Sequence, residues 1–238
     1  MVAETFRSGA VPNRGRGSVR NSNARERRAS FMIYDITPPI TDALEVWPSD
    51  TPPSREVLLD MKRGANITLS TLRTTVHVGA HVDGPNHYGR EAPGIDSRPL
   101  DDYLGPCRVI RVDVPRRGRI GSGSLPEKIG APRVLFATGT YPDPNHFNTD
   151  FAAIDQKLVE ILRERGVRLI GIDTPSVDLF DSEDLPSHRA CLRCNMAILE
   201  GIVLDGVPEG LYELIALPLR LVGFDASPVR AILRTLPT

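Results

Sequence analysis

VHVGAHVDGPNH, residues 76–87, carries His77, His81, Asp83 and His87, three of the chain's five histidines within eleven residues. Imidazoles and a carboxylate at this density form the donor set that a divalent metal ion requires; the plainer alternative is an exposed polar loop. A helix would put His77 and His81 on one face, four residues apart. Val76, Val78 and Val82 favour a strand instead, and Gly79 and Pro85 interrupt the run. On a strand the four residues share one face, because their numbers are all odd. Ten residues of straight strand span roughly 33 Å, far too long for one site. The stretch must therefore bend, most easily at Gly79 and at Gly84-Pro85. The expectation is a strand running into a tight loop that gathers His77, His81 and Asp83, with His87 returning from the loop's far side.

Outward from this stretch, the chain has the make-up of a globular protein. Its 238 residues suit one large domain or two small ones, and an apolar fraction of 40% can bury a core without staples. The net charge of −1 gives no reason to expect nucleic acid or a membrane surface, and no apolar run approaches the ~18 residues of a membrane span. Three cysteines, an odd number, point to a reducing compartment, the cytoplasm, rather than a disulfide framework. Residues 1–30 hold seven arginines against Glu4 and Glu26 and almost no large apolar side chains. They read as a disordered basic tail, or as sequence upstream of an ancestral start at Met32, and residues 31–238 as the domain.

Along that domain, Met32–Asp35, Glu56–Met61 and Ile67–Thr75 carry strand signals. Cys107–Val114 and Arg133–Ala137 are β-branched apolar runs typical of buried strands. Ala152 to Arg165 is the clear amphipathic helix: Ile154, Leu158, Ile161 and Leu162 recur at helical spacing and Gly166 stops it. Arg168–Asp173 then completes a strand–helix–strand crossover, which implies parallel pairing. Apolar runs at Tyr212–Phe224 and Val229–Leu236 close the chain. Periodicity alone therefore predicts a mixed α/β fold with few helices.

Two further places carry chemistry. Glu200 sits inside the apolar run Met196–Leu204, where a carboxylate is costly to bury unless paired or metal-bound. Trp47, the lone tryptophan, lies in a proline-rich loop, either as a core anchor or as an aromatic wall for a flat substrate ring. Cys191-x-x-Cys194 lacks the second pair of a zinc ribbon, His146 has no ligand partner in sequence, and His188 taken alone is a loop histidine. No G-x-S-x-G elbow and no G-x-G-x-x-G turn occurs, which argues against a serine hydrolase and a dinucleotide site.

The pattern H-x-G-x-H-x-D-x-P-x-H from His77 to His87 resembles the signature of the cyclase-type metal-dependent hydrolases and, within them, of the bacterial kynurenine formamidases. Supporting stretches are DITPP and VWPSDTP around Trp47, Ser176 and Asp178 followed by Ser187-His188, Ile198-Leu199-Glu200-Gly201, and Tyr212–Arg234. The resemblance runs from about Met32 to Arg234. It implies a single domain of swivelling β/β/α type, two subunits per assembly, and hydrolysis of N-formyl-L-kynurenine to L-kynurenine and formate. It also implies two divalent ions per chain. His77, His81 and Asp83 would hold one, and Asp83, His188 and Glu200 the other, with Asp83 bridging. His87 would be the catalytic proton carrier and Trp47 a substrate-binding wall. All-N/O ligation suits zinc and admits manganese. A sibling hydrolase of another amide or lactam ring, such as an isatin-type substrate, would share the metal residues, and a non-catalytic metal-binding protein is the reading from another class.

Overall fold

The computed structural model describes residues 31–236. The expectation for residues 1–30 therefore falls outside the described residues. In chain order the elements are β1 (Ile33–Asp35), β2 (Ser54–Leu59), β3 (Leu69–Arg73), β4 (His81–Asp83), β5 (Leu104–Arg111), β6 (Arg119–Ile120), β7 (Arg133–Ala137), β8 (Ala153–Ile154), α1 (Gln156–Glu164), β9 (Leu169–Ile172), α2 (Pro186–Cys194), β10 (Ala197–Glu200), β11 (Gly210–Ile215), β12 (Ala226–Pro228) and β13 (Ile232–Thr235). Nine strands make one sheet in the order β1-β13-β11-β5-β7-β9-β10-β4-β12. Its centre, β5 to β10, is parallel, and both flanks are antiparallel.

The connectivity forces this sheet to curl. β13 and β12 stand seven strand positions apart, which in a flat sheet is ~34 Å at ~4.8 Å per strand. Only Val229, Arg230 and Ala231 join them, a link that spans at most ~14 Å. Both ends of the sheet are therefore drawn together around one core, in which Val82 and Leu199 from one end meet Leu214 and Leu233 from the other. The second core lies on the opposite face, where Val134, Phe136, Ile170 and Ile198 meet Leu158 and Leu162 of α1 and Ala190 and Cys191 of α2. Alternation along the central strands divides the two: Leu135 and Leu169 face inward, while Val134 and Ile170 face the helices.

The expected mixed α/β architecture with few helices is what forms, with two α-helices among the described residues. β7, α1 and β9 make the expected parallel crossover. The helix starts later than its apolar spacing suggests, because Asp155 caps it: the carboxylate accepts from the N–H of Lys157 at 2.8 Å, and Ile154 belongs to β8 instead. One expectation is corrected. His188 lies on α2, not in a loop. β2 and β3 form a separate antiparallel ribbon, and every residue in it is exposed. No helix among the described residues is long and apolar enough to cross a membrane.

Candidate metal centre

β4 runs between β10 and β12, and that register assembles the site. Glu200 stands directly opposite His81, and Ala226 opposite Asp83, which brings the adjacent Asp225 to the same edge. His81 and Asp83 share a face as residues two apart on a strand. The four residues do not lie along one straight strand, as expected: the chain turns at Gly79 (φ +55°) before the strand and enters a short 3-10 turn, Pro85–His87, after it. The bends fall where the glycines and proline allow them. Gly201 is required for the same reason. A Cβ there would lie 2.2 Å from the Gly79 carbonyl oxygen, so any side chain would push Glu200 away from His81.

The bends bring the predicted ligands together. His77 Nδ1 lies 3.3 Å from Asp83 Oδ1, and His81 Nε2 lies 3.7 Å from the same oxygen. The other Asp83 oxygen, Oδ2, is 3.5 Å from His188 Nε2. Glu200 reaches both sides, with Oε2 3.3 Å from His81 Nε2 and Oε1 3.5 Å from His188 Nε2. Asp83 thus presents one oxygen to each of two histidine groups. His87 comes in from the 3-10 turn, its ring centroid 4.3 Å from that of His77, with about a third of its side chain exposed.

Each inner histidine has one nitrogen tied back and the other aimed inward. His81 Nδ1 pairs with the Gly79 carbonyl oxygen at 2.9 Å, His188 Nδ1 with Asp178 at 2.9 Å, and His77 Nε2 with Asp225 at 3.0 Å. Such partners fix the tautomer that offers a lone pair to a metal. Three atoms at the centre have no hydrogen-bond partner: His81 Nε2 and both Asp83 oxygens are buried without one. Unpaired buried polar atoms are costly, and a carboxylate is more so than most. A divalent cation between these donors removes the cost, so the residues fit a metal.

Charge distribution agrees. Burial alone would lower the pKa of His188, but the hydrogen bond to Asp178 and the nearby carboxylates of Asp83 and Glu200 outweigh it and carry the group up to about 10. For His77 burial is likewise outweighed, chiefly by Asp83 and then by Asp225, and the group stands at about 9. Burial would raise Asp83, but His188 and His77 hold it well below the usual carboxylate range. The site therefore draws in positive charge, as protons or as metal. His87 differs: burial, with His77 and His188 nearby, lowers it despite the opposing pull of Asp83.

The cluster opens into a cavity of about 330 Å³. Its far wall is aromatic, formed by Trp47, Tyr141 and Phe147. Trp47 is half-buried and packs on Phe180 at 4.9 Å and Phe147 at 5.6 Å, so it is anchored and also faces the cavity. All seven residues singled out from the sequence thus meet at one cavity or at its floor. Two neighbours were not singled out as site residues. Asp178 and Asp225 both belonged to quoted stretches without a role, and only the β4–β12 register brings Asp225 here. His146 is exposed and apart from the site, and Cys191 is buried in the helix-side core.

The family of putative cyclases matches residues 34–179, and the chain belongs to that family. Among individual relatives, the chain is 44% identical over 210 residues to a kynurenine formamidase of Bordetella petrii, covering 86% of this chain and 98% of that protein. A potential metal-dependent hydrolase with cyclase activity shares 28% identity and superposes with a TM-score of 0.74, covering 88% of this chain and all of the other. Isatin hydrolase A of Labrenzia aggregata, 21% identical with a TM-score of 0.72 over 86% of this chain and 94% of its own, has the same fold.

Proposed function

We propose that the protein hydrolyses N-formyl-L-kynurenine to L-kynurenine and formate, a step of tryptophan breakdown. The observation that carries this reading is the buried, unpaired Asp83 carboxylate, ringed by His77, His81, His188 and Glu200 at the floor of an aromatic-walled cavity. The kynurenine formamidase of Bordetella petrii, at 44% identity, supports the choice of substrate. In this reading His77, His81 and Asp83 hold one divalent ion and Asp83, His188 and Glu200 a second; zinc suits the donors and manganese is the alternative. A divalent ion, when bound, supplies charge that polarises a carbonyl and eases deprotonation of water.

The chain's own residues supply the rest. Trp47 and Phe147 offer flat apolar surface to the aniline ring. Water oxygen bonds to the formyl carbon, the C–N bond breaks, and the nitrogen leaves with a proton. His87, whose lowered pKa keeps it neutral near pH 7, takes a proton from the water side and delivers it to that nitrogen. The reading extends to assembly. The β2–β3 ribbon exposes Val57, Leu58, Leu69 and Leu72, each more than two-fifths accessible, and a lone two-stranded ribbon is marginal in water. A second copy of the chain covering it would make a homodimer. The free thiols Cys107, Cys191 and Cys194 fit a reducing cytoplasm.

The test is a substrate panel on the purified, metal-loaded protein: N-formyl-L-kynurenine, formanilide and isatin. Faster hydrolysis of the two formamides than of isatin is expected. Preference for isatin would replace this reading with the lactam hydrolase.

A further inference from the structure

Asp225 touches two of the site's histidines at once. Its Oδ2 lies 3.0 Å from His77 Nε2 and 3.8 Å from His87 Nδ1, while the two imidazoles sit 4.3 Å apart and tilted by 42°. We infer that Asp225 is a positioning residue. Through one carboxylate oxygen it fixes the His77 tautomer that offers Nδ1 to an ion, and it sets the distance between His77 and His87. The inference rests on the metal reading above.

The three inner histidines make the case by comparison. With Nε2–H donated to Asp225, the His77 lone pair on Nδ1 faces Asp83 at 3.3 Å. Asp178 does the same for His188 from the other nitrogen, and the Gly79 carbonyl does it for His81. The supports differ in reach. Asp178 is fully buried and serves His188 alone among the histidines, whereas the Asp225 side chain is half-exposed at the cavity wall and serves two. Asp225 therefore links a residue proposed to hold metal with one proposed to move a proton.

The backbone holds Asp225 in this place. The N–H of Gly84 donates to the Asp225 carbonyl at 2.7 Å, and the N–H of Ile95 donates to the Phe224 carbonyl at 2.9 Å. The N–H of Gly223 donates to Asp96 at 2.8 Å, and the Asn86 amide donates to the Gly223 carbonyl at 3.1 Å. The segment that carries His87 and the segment that carries Asp225 are thus laced together on both sides. Two glycines permit the approach: a Cβ on Gly84 would fall 2.8 Å from the Ile95 nitrogen, and one on Gly94 would fall 2.8 Å from Gly223 Cα. A carboxylate on a free loop would not need such a fit.

Asp225, His77 and His87 are also close enough to hold an ion among themselves. The pattern of unpaired atoms favours positioning. Among the residues proposed to hold metal, the buried atoms left without partners are on His81 and Asp83, whereas the Asp225 oxygen is already engaged by His77.

The experiment titrates Zn²⁺, and Co²⁺ for its visible spectrum, into metal-stripped full-length protein: wild type, Asp225→Ala, Asp225→Asn and Gly94→Ala. Asp225→Ala should bind the same number of ions with affinity weakened about 10–100-fold at one site, the usual effect of losing a ligand's hydrogen-bond partner. Asp225→Asn keeps the size and an acceptor oxygen, so it should recover part of the loss, and Gly94→Ala should weaken the same site. On formanilide, Asp225→Ala should lower kcat far more than it raises KM. An affinity for Asp225→Ala within about a factor of two of wild type would overturn the inference. Loss of one whole equivalent in both Asp225 variants would overturn it too, by making Asp225 a ligand. A wild type that takes up no ion would instead overturn the metal reading on which the inference stands.

Discussion

Replacing Asp178 with Asn in the metal-stripped protein removes one buried charge while keeping the side chain's shape. The carboxylate is fully buried and accepts from the N–H groups of Ser187 and His188 at 3.0 and 3.1 Å and from His188 Nδ1 at 2.9 Å. Its second oxygen accepts from Arg119 at 3.0 Å. The first two donors open α2, whose preceding residue, Leu185, offers no side-chain cap, so Asp178 caps the helix from outside it. Burial raises the Asp178 pKa, but His188, its backbone N–H and Arg119 outweigh this and hold the group at about 2. Against an ordinary value of about 3.9 this gap is worth roughly 2.5 kcal/mol, trimmed to about 2 because Arg119 is partly solvated. An Asn cannot satisfy all four donors, which adds about 1–3 kcal/mol. The total expected at pH 7 is about 3–5 kcal/mol, the range for breaking a buried ion pair. The sign follows from the depressed pKa: the charge stabilises the fold above about pH 4, and its contribution fades as pH falls toward 2. Urea unfolding of both proteins from pH 7 to pH 3 should show a gap that is largest at neutral pH and narrows in acid. A gap below about 1 kcal/mol at pH 7, or one that widens on acidification, would show that the Asp178 charge does not stabilise the fold.

Other consequences concern the cavity, the site and the ribbon. Trp47→Ala should lower kcat/KM for aryl formamides more than for a small aliphatic formamide; equal losses would reduce Trp47 to an anchor on Phe180 and Phe147. Asp83→Ala should lose metal and activity together. His87→Ala should keep its metal and lose roughly 10²–10⁴-fold in rate, whereas arrival without metal would make His87 a ligand. Leu58→Glu combined with Leu72→Glu should turn a dimer into a folded monomer in sedimentation; a wild type that is already monomeric, or a double variant that stays dimeric, would dismiss the ribbon as the interface.

What the sequence disclosed follows the range of the interactions involved. β7 and α1 were readable because local spacing and a local stop decide them: RVLFA is uniformly buried, and Gly166 takes a positive φ after the helix. His77, His81, Asp83 and His87 were readable as a cluster because eleven residues hold them all. The bends at Gly79 and Gly84-Pro85 were readable too, because one site cannot stretch along a straight strand; the 3-10 form of the second bend was not. α2 was missed because no cap stands at its own start; the capping carboxylate is Asp178, eight residues before the helix's first residue, Pro186. Asp225 was missed because only strand pairing brings it from the far end of the chain to Asp83. Glu200 drew attention as a carboxylate costly to bury in an apolar run, and its place among the ligands came from the resemblance. In the structure it accepts from the N–H of Val177 at 2.6 Å and lies 3.3 Å from His81 Nε2 and 3.5 Å from His188 Nε2.

In the proposed function this cluster hydrolyses aryl formamides only with metal bound. The most direct test follows release of L-kynurenine from N-formyl-L-kynurenine by protein stripped with a chelator, then reloaded with graded Zn²⁺ or Mn²⁺. No turnover is expected in the stripped protein, with recovery that saturates as ions are bound among His77, His81, Asp83, His188 and Glu200. Full turnover by protein shown to hold no metal would contradict the proposed function.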